Sequence, residues 1–257
     1  MTEHELRKFI FTKRIGNKIN VFDTLDSTNT YAKSLAASDM IEGTVIIADE
    51  QHSGRGRHGR TWISSKGLNL TFSIILKPII PIEQLGVVSL LAGLAVCEAI
   101  SMTTTTLPTC KWPNDVIIDA KKCAGILCET VFEGGTLSSL IVGIGVNVNQ
   151  CDFPTDLRMA ATSMAKESGS ILNRYEVLGK ILDRFEFWYD RAQAGDIPEV
   201  IQTWKTKNAT VGKDIIVDQH GKLLRGTAEG IADDGGLILR TSAGLIKILA
   251  GEVTVIH

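Results

Sequence analysis

The sequence predicts an α+β fold with a large first domain and a small all-β second domain. Up to about residue 208, segments rich in β-branched and aromatic residues alternate with segments whose apolar residues recur at helical spacing. Beyond that point, short apolar runs separated by glycines replace the helical spacing, which is typical of a small barrel. We therefore expect a mixed or antiparallel central sheet flanked by helices in residues 1–208, and an SH3-like β-barrel in residues 209–257.

The elements of each domain follow from local composition. Strands of the first domain are predicted over residues 20–22, 44–48, 68–76, 109–112, 116–118, 123–129 and 137–148. Helices are predicted from Asp26 or Ser27 to about Ser38, over 84–100, over 173–192, and from about Pro198. Hairpin turns are predicted at residues 119–122 and 133–135. Strands of the second domain are predicted over residues 215–217, 223–224, 227–231, 237–239, 245–249 and 253–255.

Residues 85–102 are apolar enough to raise the question of a membrane-spanning helix. The stretch contains Ser89 and Glu98, has no aromatic belt, and is barely long enough to cross a bilayer. We therefore predict a helix buried in the core of the first domain, and no membrane partner.

Composition excludes several classes of protein. The chain has 27 Lys and Arg residues against 29 Asp and Glu residues, so no overall field attracts it to nucleic acid or to an anionic membrane. Its five cysteines form no C-x-x-C pair and have no accompanying histidine cluster, which argues against a zinc site and a disulfide framework. The polar N-terminus lacks a signal-peptide core, so a cytoplasmic location is expected.

A loop of three glycines and three arginines, residues 54–60, is the strongest functional signal. Glycine allows the backbone to approach a ligand closely, and arginine offers a planar fork that suits phosphate and carboxylate oxygens. The glycine spacing satisfies G-x-G-x-x-G, but the loop continues into Thr61 and Trp62 without starting a helix, so a Rossmann site is not indicated. A solvated turn and a basic arm that binds nucleic acid are the alternatives.

Two further polar segments stand at predicted element ends, where α/β sheets tend to bind ligands. One is Ser27-Thr28-Asn29, for which simple helix capping is the alternative, and the other is residues 111–115 with Lys122. No nucleophile with an obvious base accompanies them. Cations, a carboxylate and amides together suit a reaction in which a carboxylate attacks a nucleotide α-phosphate, because charge neutralisation and positioning catalyse such a step. The residues thus predict a nucleotide-using transferase or ligase.

The order and spacing of these motifs resemble the signatures of biotin protein ligases. The resemblance rests on residues 27–29, on GRGRHGR with Trp62, on KWPND at 111–115, on KCAGIL at 122–127, on GIGVNVN at 143–149, and on Gly251-Glu252-Val253. It implies a class II synthetase-like catalytic domain and a two-step reaction. Biotin and ATP first give biotinyl-5′-AMP and pyrophosphate, and a lysine of a biotin carboxyl carrier protein then attacks the adenylate.

The resemblance also implies site residues. Biotin would be bound by Ser27, Thr28, Asn29, Gln51, Gly54, Arg55, Gly56, Lys122 and Gly125. ATP and the adenylate would be bound by Arg55, Arg57, Arg60, Trp62, Asn114 and Asn147, with Trp62 covering the purine. Lys122, Arg57 and Asp115 would be catalytic, and Asn147 with Asp115 would hold Mg²⁺. The glycine-rich loop is expected to be weakly ordered without ligand and to shield the adenylate once it is formed.

Two departures from the family pattern bear on function. Residues 1–19 leave no room for the DNA-binding domain of some members, so direct binding to DNA is not expected. The basic residue often found after the Gly-Glu motif is absent, so a charge lent to ATP by the second domain is in doubt. A lipoate- or octanoate-protein ligase of related fold and a non-catalytic RNA- or biotin-binding module are the rival hypotheses, and a homodimer is expected by analogy alone.

Overall fold

A seven-stranded mixed sheet forms the centre of the first domain. The computed structural model describes residues 1–36, 41–155, 157, 159–219 and 221–256. The strands of the sheet are β1 (Ile19–Leu25), β2 (Val45–Gln51), β3 (Leu70–Leu76), β4 (Thr109–Lys111), β5 (Asp115–Ile118), β6 (Lys121–Glu133) and β7 (Thr136–Val146). Their order is β1-β2-β3-β7-β6-β5-β4, and only the β1–β2 pair is parallel among these strands. The predicted α+β class is confirmed.

Helices cover both faces of this sheet. They are α1 (Glu3–Arg7), α2 (Thr28–Ala36), α3 (Gly86–Thr103), α4 (Met164–Ser168), α5 (Arg174–Gln193) and α6 (Ile197–Thr206). Because side chains alternate along a strand, Ile46 packs with α2 whereas its neighbour Ile47 belongs to the larger core that contains α3 and α5. The predicted end of α2 at Ser38 lies outside the described residues.

Helix α3 is the core helix that the sequence predicts. By length and composition, residues 82–103 satisfy the requirements of a membrane span, yet 72% of the apolar window is buried inside the protein. The carboxylate of Glu98 accepts hydrogen bonds from Arg184 Nε at 2.6 Å and from Trp188 Nε1 at 2.9 Å. Its charge is therefore compensated within the helix packing.

The second domain is a five-stranded antiparallel sheet with the order β11-β10-β9-β8-β12. Its strands are β8 (Asp214–Gln219), β9 (Lys222–Ile231), β10 (Leu237–Thr241), β11 (Gly244–Ile248) and β12 (Glu252–Val255). The sequence predicts a strand break at Gly226, whereas the structure continues β9 through it. A Cβ at Gly226 would lie 2.1 Å from the Arg240 carbonyl oxygen, so this glycine permits close strand packing rather than a turn.

The Trp112 side chain joins the two domains. Its indole Nε1 donates to the carbonyl of Gly235 at 2.9 Å, and its backbone N–H donates to Thr210 Oγ1 at 3.1 Å. The indole is fully buried. Because Trp112 belongs to the Lys-Trp-Pro-Asn-Asp motif, the same segment that carries Asn114 and Asp115 also fixes the second domain beside the cavity described below.

Several element boundaries differ from the prediction. The short helices α1 and α4 were not predicted, because five residues are too few to show a helical stripe. The hairpin turn predicted at residues 119–122 is shorter: Asp119 and Ala120 alone adopt positive φ angles, and Lys122 already belongs to β6. The turn at 133–135 is confirmed, with Gly134 and Gly135 both at positive φ.

Candidate active site

A cavity of about 470 Å³ lies over the central sheet, beside the N-terminus of α2. It is bounded by the start of α2, the loop after β2, strands β5 to β7, and β12 of the second domain. Every predicted site residue except Gly54 lines it: Ser27, Thr28, Asn29, Gln51, Arg55, Gly56, Arg57, Arg60, Trp62, Asn114, Asp115, Lys122, Gly125 and Asn147. Four segments that are distant in sequence thus meet in one place.

Gly54 lies at the base of the arginine loop, behind the cavity wall. Its carbonyl accepts a hydrogen bond from the Trp62 N–H at 2.9 Å, and an added Cβ would lie 2.4 Å from the Trp62 carbonyl oxygen. The glycine is needed there because the two ends of the loop approach closely. The structure therefore gives Gly54 a part in closing the loop, where the sequence suggested contact with the ligand.

The loop itself is a narrow turn. The Gly56 N–H donates to the Arg60 carbonyl at 2.7 Å, and residues Arg57–Gly59 form one 3₁₀ turn, which the sequence analysis did not predict. His58 lies at φ 54° and Gly59 at φ 72°, both in the left-handed region. That the loop is weakly ordered without ligand stays a prediction.

Each arginine of the loop has a partner in a different part of the fold. Arg55 Nη2 lies 3.3 Å from Glu129 Oε1 on β6, and Arg60 forms an ion pair with Glu252 at the start of β12. Arg57 Nη1 donates to Asn114 Oδ1 at 3.0 Å, and it also reaches the carbonyl of Gly251 at 3.4 Å. Arg55 thus ties the loop to the first domain, Arg60 ties it to the second, and Arg57 contacts both.

Arg57 is the most buried of the loop arginines. Burial lowers the pKa of its guanidinium, and the negative charge of Asp115 opposes that shift. A desolvated guanidinium interacts with an added anion more strongly than one in water, because the local dielectric is low. Arg57 is therefore the loop residue best suited to neutralise charge inside the cavity.

The N-terminus of α2 carries a dense hydrogen-bond network. Gln51 Oε1 accepts from the Thr28 N–H at 2.7 Å and from its hydroxyl at 3.1 Å. The Ser73 hydroxyl lies 2.8 Å from Thr28 Oγ1 and 2.6 Å from Asn29 Oδ1. Ser27 Oγ accepts from the Thr30 N–H at 3.4 Å, so it both caps the helix and lines the cavity.

Lys122 and Asp115 face each other across strands β5 and β6. Lys122 Nζ lies 2.6 Å from Asp115 Oδ1 and 5.8 Å from the centroid of the Trp62 ring. Both side chains are partly exposed to the cavity. A lysine held by a carboxylate on one side and an indole on the other keeps its charge at a fixed point, where it suits a negatively charged oxygen of a ligand.

The floor of the cavity is made of glycine. Gly125 on β6 pairs with Gly145 on β7, and the Trp62 indole lies against both. A Cβ at Gly145 would lie 2.4 Å from Trp62 Cε2, and a Cβ at Gly125 would lie 3.2 Å from Trp62 Cζ3. At residue 145, only glycine leaves room for the Trp62 ring so close to the sheet. Trp62 Nε1 is buried without a hydrogen-bond partner within the part of the chain that the structure describes.

Asn147 is the cavity residue whose chemistry best fits a phosphate-bound cation. Its Nδ2 donates to the Thr162 carbonyl at 3.0 Å, while its Oδ1 is buried and has no hydrogen-bond partner among the described residues. Asp115 adds a carboxylate to the same cavity. No group of three His, Cys, Asp or Glu side chains is arranged as a metal site within the described ranges. An amide oxygen and one carboxylate suit Mg²⁺ that takes its remaining ligands from phosphate and water.

Four residues in or beside this cavity were not predicted from the sequence. Glu129 and Gly145 lie on the same sheet face as Gly125, and the two-residue period of β6 and β7 would have identified them. Glu252 was noted only as part of a motif, and it forms the ion pair with Arg60. Lys213, from the second domain, lines the cavity, but nothing in its sequence neighbourhood points to the first domain.

Comparisons with known proteins agree with this geometry. A family profile described as "Biotin/lipoate A/B protein ligase family" matches residues 21–147, and one described as "Biotin protein ligase C terminal domain" matches residues 210–255. The biotin--[acetyl-CoA-carboxylase] ligase of Paracoccus denitrificans is 32% identical over 234 residues, which cover 89% of this chain and 96% of that relative. The bifunctional ligase/repressor BirA of Bacillus subtilis is 35% identical over 255 residues, covering 98% of this chain and 78% of that protein.

Solved structures extend the likeness to three dimensions. The biotin protein ligase from Aquifex aeolicus in complex with biotin and ATP has a TM-score of 0.80 and 32% sequence identity, and the match covers 93% of this chain and 98% of that one. A mutant of the same ligase, in complex with biotin, has a TM-score of 0.80 with 31% identity, over 94% and 99% of the two chains. The resemblance that the motifs carry is confirmed. Both domains are matched, and the chain belongs to the biotin protein ligase family.

Proposed function

We propose that this chain joins biotin to a lysine of a biotin carboxyl carrier protein, at the expense of ATP and through biotinyl-5′-AMP. The observation that carries the proposal is that one cavity collects a fixed pair of amide and hydroxyl groups, a desolvated arginine and a central lysine. The amide and hydroxyl groups suit the ureido ring of biotin. The arginine and the lysine suit the site where the biotin carboxylate approaches the ATP phosphates.

Biotin binds with its ureido ring at the N-terminus of α2. Thr28 and Gln51 already hold each other, so their remaining polar atoms are fixed before the ligand arrives. A ureido group that is buried without partners costs free energy, and these residues with Ser27 supply partners. Asn29 acts differently: its amide donates to the Leu127 carbonyl and to Glu129, so its role is to position α2 against the sheet.

In the first step, an oxygen of the biotin carboxylate attacks the α-phosphorus of ATP. The new O–P bond forms as the bond to the pyrophosphate oxygen breaks, and pyrophosphate leaves. Lys122 and Arg57 offset the repulsion between the two anions and stabilise the charge on the α-phosphate in the transition state. Arg60 and Asn114 hold the nucleotide, and Gly56 gives its phosphates access to the loop backbone.

In the second step, the ε-amine of the acceptor lysine attacks the acyl carbon of the adenylate. The new C–N bond forms, the bond from that carbon to the phosphate oxygen breaks, and AMP leaves. Asp115 accepts the proton that the amine loses, because its carboxylate lines the cavity next to Lys122. Lys122 remains beside the acyl oxygen and supplies oxyanion stabilisation.

Asn147 and Asp115 would hold Mg²⁺ on the ATP phosphates, since their oxygens are of the type that hard cations prefer. When bound, the cation neutralises part of the phosphate charge. Trp62 stacks on the purine, and Gly125 leaves room on the sheet for the Trp62 ring and the Lys122 side chain beneath the ligand.

We further propose a cytoplasmic enzyme that acts on its carrier protein without binding DNA or membrane. We also propose that two copies pair through an edge of the central sheet, because β1 has a neighbour on one side only among the described strands. A mass measurement by light scattering tests the dimer: a monomer mass at all concentrations up to about 100 μM, where an interface of standard size would be populated, contradicts it.

One experiment separates this function from its rivals. The protein is mixed with ATP, Mg²⁺ and either biotin or lipoate, and pyrophosphate release is followed, with a carrier domain added in a second stage. We expect release with biotin only, and transfer of biotin to the carrier lysine. Release with lipoate instead supports a lipoate ligase, and no release with either acid refutes adenylation by this site.

A further inference from the structure

Glu129 is a mostly buried carboxylate next to the cavity that the reaction above does not use. It lies on β6, two residues beyond Leu127, and its side chain is 15% exposed. Three groups converge on it: Lys33 Nζ at 2.5 Å and Asn29 Nδ2 at 2.8 Å from α2, and Arg55 Nη2 at 3.3 Å from the arginine loop. A carboxylate in such a position holds two segments of the fold against each other.

Glu129 also ends a continuous chain of hydrogen bonds that begins at the biotin end of the cavity. Gln51 accepts from Thr28, and Ser73 lies within hydrogen-bond distance of both Thr28 and Asn29. Asn29 in turn donates to Glu129. A Cβ at Gly143 would lie 2.2 Å from Asn29 Oδ1, so the Asn29 side chain is confined from below as well. The groups that bind the ureido ring and the anchor of Arg55 are thus parts of one rigid network.

The charges assign Arg55 a different role from Arg57. The guanidinium of Arg55 is already opposed by a carboxylate, whereas the hydrogen bonds of Arg57 to the described residues go to neutral oxygens. A neutralised arginine adds little to the potential at the phosphate, but it fixes the end of the loop from which Arg57 projects. The ion pair is therefore better suited to keeping the loop closed than to stabilising the transition state.

We propose that Glu129 is a positioning residue that latches the arginine loop over biotinyl-5′-AMP through Arg55. The proposal rests on the biotin–protein ligase function proposed above. The latch shares the hydrogen-bond network that binds the ureido ring. A bound biotin group therefore stabilises the network, and the network in turn keeps the loop closed. Its consequence is slow loss of the adenylate, while the chemical step depends on Lys122 and Arg57.

The test uses the Glu129→Gln variant, which keeps the size of the side chain and an acceptor for Asn29 but removes the charge that Arg55 and Lys33 contact. Chemically prepared biotinyl-5′-AMP is bound to each protein, and its dissociation rate is measured after dilution into excess biotin. We expect dissociation up to about fivefold faster than in the wild type, as the loss of a partly exposed ion pair allows, and a single-turnover rate of pyrophosphate release within about twofold, because the reacting groups are untouched. Circular dichroism and thermal melting verify that the variant is folded.

Two comparisons identify the contact responsible. Arg55→Met should also accelerate dissociation, and the double variant should be no faster than Glu129→Gln, because the Arg55–Glu129 pair is already broken in that variant. Glu133→Gln is the matched control: it changes an exposed glutamate on the same strand and the same sheet face, and it should dissociate like the wild type.

Specific outcomes overturn the latch. An unchanged dissociation rate in Glu129→Gln, multiplied effects in the double variant, or a tenfold loss of the adenylation rate would each refute it. These results differ from a failure of the proposed function, in which the wild-type protein itself releases no pyrophosphate with biotin.

Discussion

Replacing Gly145 with alanine is expected to damage ATP binding without touching any polar group of the ureido or phosphate sites. An ideal Cβ at this position lies 2.4, 2.7 and 2.8 Å from Trp62 Cε2, Cζ2 and Nε1. Non-bonded carbon atoms make contact at about 3.5–4.0 Å, so the indole must move by roughly 1 Å or more. The ring then no longer lies on the sheet where we propose that it meets the purine.

The size of the effect follows from the value of base stacking. An aromatic platform contributes about 1–3 kcal/mol per base, which corresponds to a KM for ATP raised by about 5- to 150-fold. Initial rates of biotin-dependent pyrophosphate release at varied ATP measure this constant. The KM for biotin should change less, because the nearest atoms to the added Cβ belong to Trp62 and not to the hydrogen-bond network at α2.

The same substitution made in a Trp62→Ala protein shows whether Trp62 is responsible for the rise in the KM for ATP. In a Trp62→Ala protein the clashing ring is gone, so adding Gly145→Ala should cost little more. Gly230→Ala in the second domain is the control, since a Cβ there meets nothing within 4 Å. A KM for ATP that stays within twofold in Gly145→Ala would refute this role of the Trp62 ring, as would an equal rise in KM in the Trp62→Ala background.

Three other predictions concern charge. Lys122→Ala should lower the single-turnover rate of adenylation by about 100- to 1,000-fold, as the loss of an oxyanion donor typically does, and a wild-type rate contradicts its catalytic role. Lys213→Gln should raise the KM for ATP by about fivefold but leave transfer from supplied biotinyl-5′-AMP unchanged, with Lys222→Gln, an exposed lysine of the same domain, as control. Burial raises the pKa of Glu129, but the hydrogen bonds from Lys33 and Asn29 and the charges of Lys33 and Arg55 outweigh that effect and hold the pKa below its ordinary value. The stability that this carboxylate contributes is therefore present above about pH 4.5 and lost as the pH falls through the folded-state pKa, so melting temperatures at pH 6 and pH 3.5 should differ less in Glu129→Gln than in the wild type.

Much of the fold could be predicted because local pattern and tertiary structure agree. Helix α3 is apolar on all sides and is buried on nearly all sides, and the glycines at residues 134 and 135 adopt the turn that their lack of a Cβ favours. The strand order could not be predicted. It depends on pairing between strands that are far apart in the chain, such as β3 and β7. No local property of either strand identifies the strand with which it pairs.

The candidate site shows the same division. Residues that form recognisable motifs, such as Arg57 and Lys122, were found because several special residue types stand close together in sequence. Glu129 and Glu252 were missed as partners because each is an isolated acidic residue whose arginine lies far away in the chain. Period-two alternation identifies the face on which a strand residue lies, but only the fold identifies what approaches that face.

The ion pair between Arg60 and Glu252 affects which anions the enzyme can bind. Arg60 is neutralised by Glu252 before any nucleotide arrives, so a ligand that reaches Arg60 must separate an existing pair. A small singly or doubly charged anion gains too little in that exchange, whereas a triphosphate spans several cations at once and is compensated at each. Free phosphate or sulfate in the cell would then leave the site empty for ATP.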